Sequence, residues 1–123
     1  MNITDLIALG ESETLEFKSS FNAAVIEALV AFANCRGGCV IVGLNDHGAL
    51  VPGLELSKES VVNWINEIKT KTQPALIPDV ETAEVDGYPV VMLSIAEYPV
   101  KPVSVRGRYY KRVGNSNHQM SLT

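Results

Sequence analysis

The unbroken apolar run Cys39-Val40-Ile41-Val42-Gly43-Leu44 constrains the fold more than any other segment of the chain. It is too short for a typical globular helix, and its β-branched centre favours extended backbone. Side chains alternate across a strand, so a strand without polar positions is buried on both faces. Gly37-Gly38 precedes the run and Asn45-Asp46-His47-Gly48 follows it, and both are strong turn signals. This segment therefore reads as a central strand.

The flanking patterns supply its neighbours. Met1 to Leu9 predicts a short lead-in helix with Ile3, Leu6 and Ile7 on one side. Thr14 to Ser19 alternates, with Leu15 and Phe17 facing one way and Glu16 and Lys18 the other, as in a half-buried strand. Asn22 caps a helix whose Val25, Ile26, Leu29, Val30, Phe32 and Ala33 form a wide apolar face. Ser57 caps a second helix, through about Thr72, ended by Gln73-Pro74. Val80–Val85 and Tyr88–Ile95 are strands joined by Asp86-Gly87, a hairpin signal. Val103–Val105 and Arg108–Val113 form a last hairpin around Gly107. With hairpins outnumbering βαβ units, the expected fold is α+β: a mixed, mostly antiparallel sheet with two main helices packed on it. At 123 residues the chain is one domain, 1–123. Its polar tail from Gly114 reads as uncapped, so the domain is expected to continue into a longer protein.

Composition narrows the function. No apolar run reaches the ~18 residues of a membrane-spanning helix, and Met1 to Gly10 has no basic cluster of a signal peptide. A cytoplasmic protein with no membrane partner is expected. Cys35 and Cys39 lack the second pair that structural zinc requires, and they read as small residues bordering a helix end and a strand. His47 and His118 lie in separate segments without a catalytic partner, and no Lys follows a Gly-rich turn, so neither a triad nor an ATP-cradling phosphate loop is present.

The net charge of −4 hides a split. Residues 1–98 hold fourteen acids and five bases, a net −9, while residues 99–123 hold five bases and no acid, a net +5. Local field decides where a polyanion lands. The basic end includes Lys101 and the cluster Arg106-Gly107-Arg108-Tyr109-Tyr110-Lys111-Arg112. On a strand, Arg108, Tyr110 and Arg112 share one face, which suits phosphate on the guanidiniums and a base on the phenol. The candidate nucleic-acid ligands are therefore Lys101, Arg106, Arg108, Tyr110, Lys111 and Arg112, with backbone amides near Gly37 and Gly114 as added donors. Binding by this set needs no cofactor. A second candidate is the carboxylate set Glu11, Glu16 and Asp46. These converge if the first strand lies beside the central one, and three carboxylates can hold Mg²⁺ or Mn²⁺ for phosphodiester cleavage. A third reading is a dimerisation or protein-interaction module driven by the charge split.

Several motifs, in order, resemble the Schlafen AlbA-type domain. They are Glu11-Ser12-Glu13-Thr14-Leu15-Glu16-Phe17-Lys18; Ala31-Phe32-Ala33-Asn34 with Gly37-Gly38; Val42-Gly43-Leu44-Asn45-Asp46-His47-Gly48; and Tyr109-Tyr110-Lys111-Arg112-Val113-Gly114-Asn115-Ser116. The resemblance implies an Alba-like core. It also implies a place at the N-terminus of a prokaryotic transcriptional regulator or RecG-like helicase-related protein, with further domains after Thr123. It implies binding of DNA or RNA, and a homodimer by likeness to Alba. The family was once catalogued as a divergent AAA ATPase. Some animal members are endoribonucleases with three acidic residues, which map onto Glu11, Glu16 and Asp46.

Overall fold

The computed structural model describes residues 2–121, so Met1, expected to open the lead-in helix, and the last two residues lie outside it. In chain order the elements are α1 (Ile3–Leu9), β1 (Leu15–Lys18), α2 (Ala23–Ala33), β2 (Gly38–Val42), α3 (Lys58–Lys71), β3 (Thr72–Gln73), β4 (Asp79–Val85), β5 (Tyr88–Ile95), β6 (Ser104–Val105), β7 (Arg108–Val113) and β8 (Ser116–Gln119).

The first sheet has the order β1-β2-β5-β4. β1 runs parallel to β2, with Leu15 opposite Cys39 and Lys18 opposite Val42. A parallel pair needs a crossover, and α2 is that crossover. β5 pairs antiparallel with both β2 and β4. Asp86 and Gly87 both take positive φ, which suits the two-residue turn joining β4 to β5.

The apolar run is buried on both faces. Val40 and Val42 pack with α2, Leu93 and Val91 on one side. Ile41 packs with Ile3, Phe17, Leu44 and Val90 on the other, where α1 lies. α2 itself is buried almost all round, from Val25 to Ala33 with only Glu27 reaching solvent. A helix of eleven residues, even with five alanines among them, is marginal alone in water, so packing holds it. Fully burying each large apolar side chain contributes about 1.5–3 kcal/mol. α2 can be this apolar because a second sheet covers it: Val103, Val105 and Tyr110 join the same core.

The fold is thus the expected α+β one, a mixed, mostly antiparallel sheet with helices packed on it, and the second sheet adds to it. β3, β6, β7 and β8 form an antiparallel sheet of their own. The tail after Gly114, expected to be uncapped, folds back as β8, with Ser116 opposite Val113 and Gln119 opposite Tyr110. Its Ser-Asn-His-Gln sequence has no apolar alternation, so the strand leaves no periodic signal. The turn does: Gly114 has a φ of 57°.

The glycine pair before β2 answers a steric demand. A Cβ on Gly37 would sit 2.8 Å from the carbonyl oxygen of Ile95, and one on Gly38 would sit 2.7 Å from that of Thr14. Gly37 also has a φ of 77°. The chain leaving α2 passes too close to neighbouring backbone for any side chain.

Candidate nucleic-acid interface

β7 lies along α2, and this settles which of its faces meets solvent. Arg108, Tyr110 and Arg112 do share a face, but it turns toward the helix. Arg112 is 5% exposed and Tyr110 8% exposed, while Arg108, at the strand's start, remains open. Arg112 Nη1 donates to Glu16 Oε1 at 3.0 Å and to Asn117 Oδ1 at 2.8 Å. Nη2 donates to the carbonyls of Ser12 at 2.7 Å and Leu15 at 3.2 Å. The Phe32 ring lies 4.9 Å from Cζ, so a π face meets the guanidinium, whose Nε has no hydrogen-bond acceptor. Arg112 is therefore not a phosphate ligand, contrary to expectation. It is committed to a buried ion pair that ties β7 to β1. The same pair corrects the reading of β1 as half-buried, because Arg112 covers the polar side of Glu16.

The carboxylates converge at one end of β1, as expected from its pairing with β2. Glu11 Oε2 accepts from the Phe17 amide at 3.0 Å, and its carboxyl reaches that of Glu16. Burial, the Glu16 contact and the charges of Glu16 and Asp46 push the Glu11 pKa up to about 7. Asp46 sits exposed in the turn after β2, where Asn45 Oδ1 accepts from the amides of His47 and Ala49. Arg112 occupies Glu16, Glu11 favours its protonated form below pH 7, and no group of three or more His, Cys, Asp or Glu among the described residues has metal-holding spacing.

The exposed cations assemble elsewhere. Lys71, Arg106 and Arg108 line one cleft of about 180 Å³ together with Ala23, Ile26, Glu27, Val105 and Tyr110. The Arg106 amide donates to the Lys71 carbonyl at 3.2 Å, which fixes the β6–β7 turn against the end of α3. Arg106 is held at a φ of 52°, in a turn position that Asn or Gly fills more easily. Neither Arg106 nor Arg108 has an ion-pair partner among the described residues. Lys71 is shared with Glu67 at 3.5 Å. The first turn of α2 opens onto the cleft, adding the positive end of the helix dipole. A larger groove of about 670 Å³, between Leu56, Val61 and Val62 and the β4 edge at Thr82 and Ala83, is mostly apolar and gathers no such set.

Other expected ligands are distributed. Lys101 is paired with Glu97, which offsets its charge. Lys111 is exposed on the outer face of β7, opposite His118 of β8. The Gly37 amide is used within the fold, donating to the Phe32 carbonyl at 2.7 Å. Sequence reasoning missed Lys71, which carries no local signal and reaches the cleft only because α3 ends beside the hairpin. It also missed Asn34. That side chain donates to the carbonyls of Val103 at 2.9 Å and Tyr110 at 2.8 Å, and accepts from the Val103 amide at 2.6 Å. A lone Asn closing an apolar helix was the available clue.

Two outcomes follow from this geometry. Arg112→Met should lower unfolding stability in urea by about 3–5 kcal/mol, because it strands the Glu16 charge, and adding Glu16→Leu should recover part of the loss. An arginine serving only as a surface ligand would change stability by less than about 0.5 kcal/mol. The second outcome concerns Glu11. Its raised pKa means the folded state holds a proton that the unfolded state releases, so stability should fall as pH rises from about 4.5 to about 7. In Glu11→Gln that part of the pH dependence should vanish, measured by urea unfolding between pH 4 and 8.

Comparison with known proteins agrees with this fold. A family model described as Schlafen, AlbA_2 matches residues 11–121. The crystal structure of the DIP2311 protein from Corynebacterium diphtheriae is similar, with a TM-score of 0.71 and 22% identity. That match covers 88% of this chain and 22% of that one, so the chain spans about a fifth of that protein. The solution structure of the N-terminal domain of a protein described as related to the DNA helicase RecG, from Nitrosomonas europaea, has a TM-score of 0.66 at 26% identity. It covers 98% of this chain and 91% of that one. No curated protein matches. With the family model spanning nearly the whole chain, over the same residues that build the buried ion pair and the basic cleft, the chain belongs to the Schlafen AlbA_2 family.

Proposed function

We propose that this domain holds nucleic acid, and that Lys71, Arg106 and Arg108 receive its phosphates at the cleft beside the start of α2. The observation that carries the reading is the convergence of three cations, two of them without acidic partners, in one concave site. Arginine forks suit phosphate oxygens, and Tyr110 offers an aromatic surface beside them. Lys111 extends the positive strip along the outer face of β7. The rest of the chain is acidic and repels a polyanion, which restricts contact to this end. A likeness to the domain of a protein related to a DNA helicase supports the same reading. The domain would then position a larger protein on its nucleic acid without catalysing a reaction itself.

Cleavage at Glu11, Glu16 and Asp46 is the second reading. Their convergence favours it, while the Arg112 ion pair and the protonation of Glu11 oppose it.

The test is fluorescence anisotropy of labelled single-stranded DNA, duplex DNA and RNA in EDTA across a salt series. Each phosphate contact should contribute about −0.7 to the slope of log affinity against log salt for a single strand. Arg106→Ala/Arg108→Ala should therefore make the slope shallower by about 1.4 and weaken binding to all sequences alike. Unchanged affinity in that variant would remove the cleft from the interface.

A further inference from the structure

One wall of the cleft is unsuited to phosphate alone. Glu27, the single charged residue of α2, lines it together with Lys71, Arg106 and Arg108. Glu27 is half-buried, and it makes no ion pair or side-chain hydrogen bond among the described residues. A carboxylate repels phosphate, so its presence among three cations asks for a ligand that donates hydrogen bonds as well as carrying negative charge. The floor between the charges is apolar: Ile26 is 1% exposed, Val105 6% and Tyr110 8%. The volume, about 180 Å³, is below the ~300 Å³ at which sites for whole small-molecule ligands begin. It is room for roughly six waters, enough for one planar ring system.

We propose that the cleft seats one unpaired guanine of a single-stranded nucleic acid. The proposal rests on the nucleic-acid reading above and names its substrate class. Glu27 accepts from the guanine N1–H and the adjacent amino group, the ring rests on the Ile26, Val105 and Tyr110 floor, and the flanking phosphates meet Arg106 and Arg108. The choice of base follows from donor order on the Watson–Crick edge. Guanine alone presents two neighbouring donors, which match the two oxygens of a carboxylate. Adenine and cytosine place a ring-nitrogen acceptor beside their amino group, and thymine and uracil flank their one N–H with carbonyls, so each turns a lone pair toward Glu27. In a duplex this edge is already paired, so the strand must be single at that point.

The experiment uses labelled nonamers of thymidine, and of uridine for RNA, with one central G, A, C or T/U, by anisotropy in EDTA. The G probe should bind about five- to a hundredfold tighter than the others. Glu27→Gln should erase that preference, and the all-thymidine probe should bind more tightly, because a negative charge has gone. Equal binding of all four probes, with affinity still lost in Arg106→Ala/Arg108→Ala, would overturn the guanine seat and leave the phosphate interface standing. A G preference that survives Glu27→Gln would overturn the role of Glu27. Duplex binding tighter than any single strand would overturn the single-strand assignment. No binding by any probe would overturn the interface reading itself.

Discussion

The contact between Arg112 and Glu16 is the constraint on which the rest of the arrangement depends. It joins a strand near the end of the chain to one near its beginning, across the C-terminal end of α2. Buried charges persist only when paired and hydrogen-bonded, and here the guanidinium has four polar contacts and an aromatic face. The geometry explains why β7 is fixed along α2. Arg112 anchors one end, Asn34 holds the backbone at Tyr110 and Val103, and the Cys35 thiol accepts from the Arg112 amide at 3.3 Å. With that strand fixed, its open end carries Arg108 to the first turn of α2, where Arg106 and Lys71 meet it.

The same pair divides the ionisable groups into two sets with different work. Glu11, Glu16 and Arg112 form an interior junction in which burial, the Glu16 contact and the charges of Glu16 and Asp46 favour the protonated form of Glu11. Arg106, Arg108 and Lys111 stay at the surface without an ion-pair partner among the described residues, and Glu27 is the one acid that lines their cleft. The acids of β4, Asp79, Glu81 and Glu84, are exposed on the edge strand of the first sheet, whereas Arg108 and Lys111 lie on the second. A polyanion approaching such a molecule is steered to one end of it.

Much of this was legible in the sequence. The apolar run of β2, the caps of α2 and α3 and the Asp86-Gly87 turn all rest on local chemistry, and local chemistry is what a sequence displays. Glu11, Glu16 and Asp46 were brought together by the β1–β2 pairing that the unbroken strand suggested. Arg112 was misread because its partner lies 96 residues away, and alternation along a strand says which residues share a face without saying which face is covered. β8 was missed because its side chains are polar on both faces. Lys71 and Glu27 joined the cleft through tertiary packing, and neither has a neighbour in sequence that announces the role.

The most direct measurement is a backbone amide chemical-shift titration of the domain with a short single-stranded oligonucleotide at low salt. The largest shifts should fall on Ala23, Glu27, Lys71, Arg106, Arg108 and Tyr110, with Glu11 and Asp46 unmoved. Shifts centred on Glu11, Glu16 and Asp46, or on the groove between Val62 and Thr82, would contradict it.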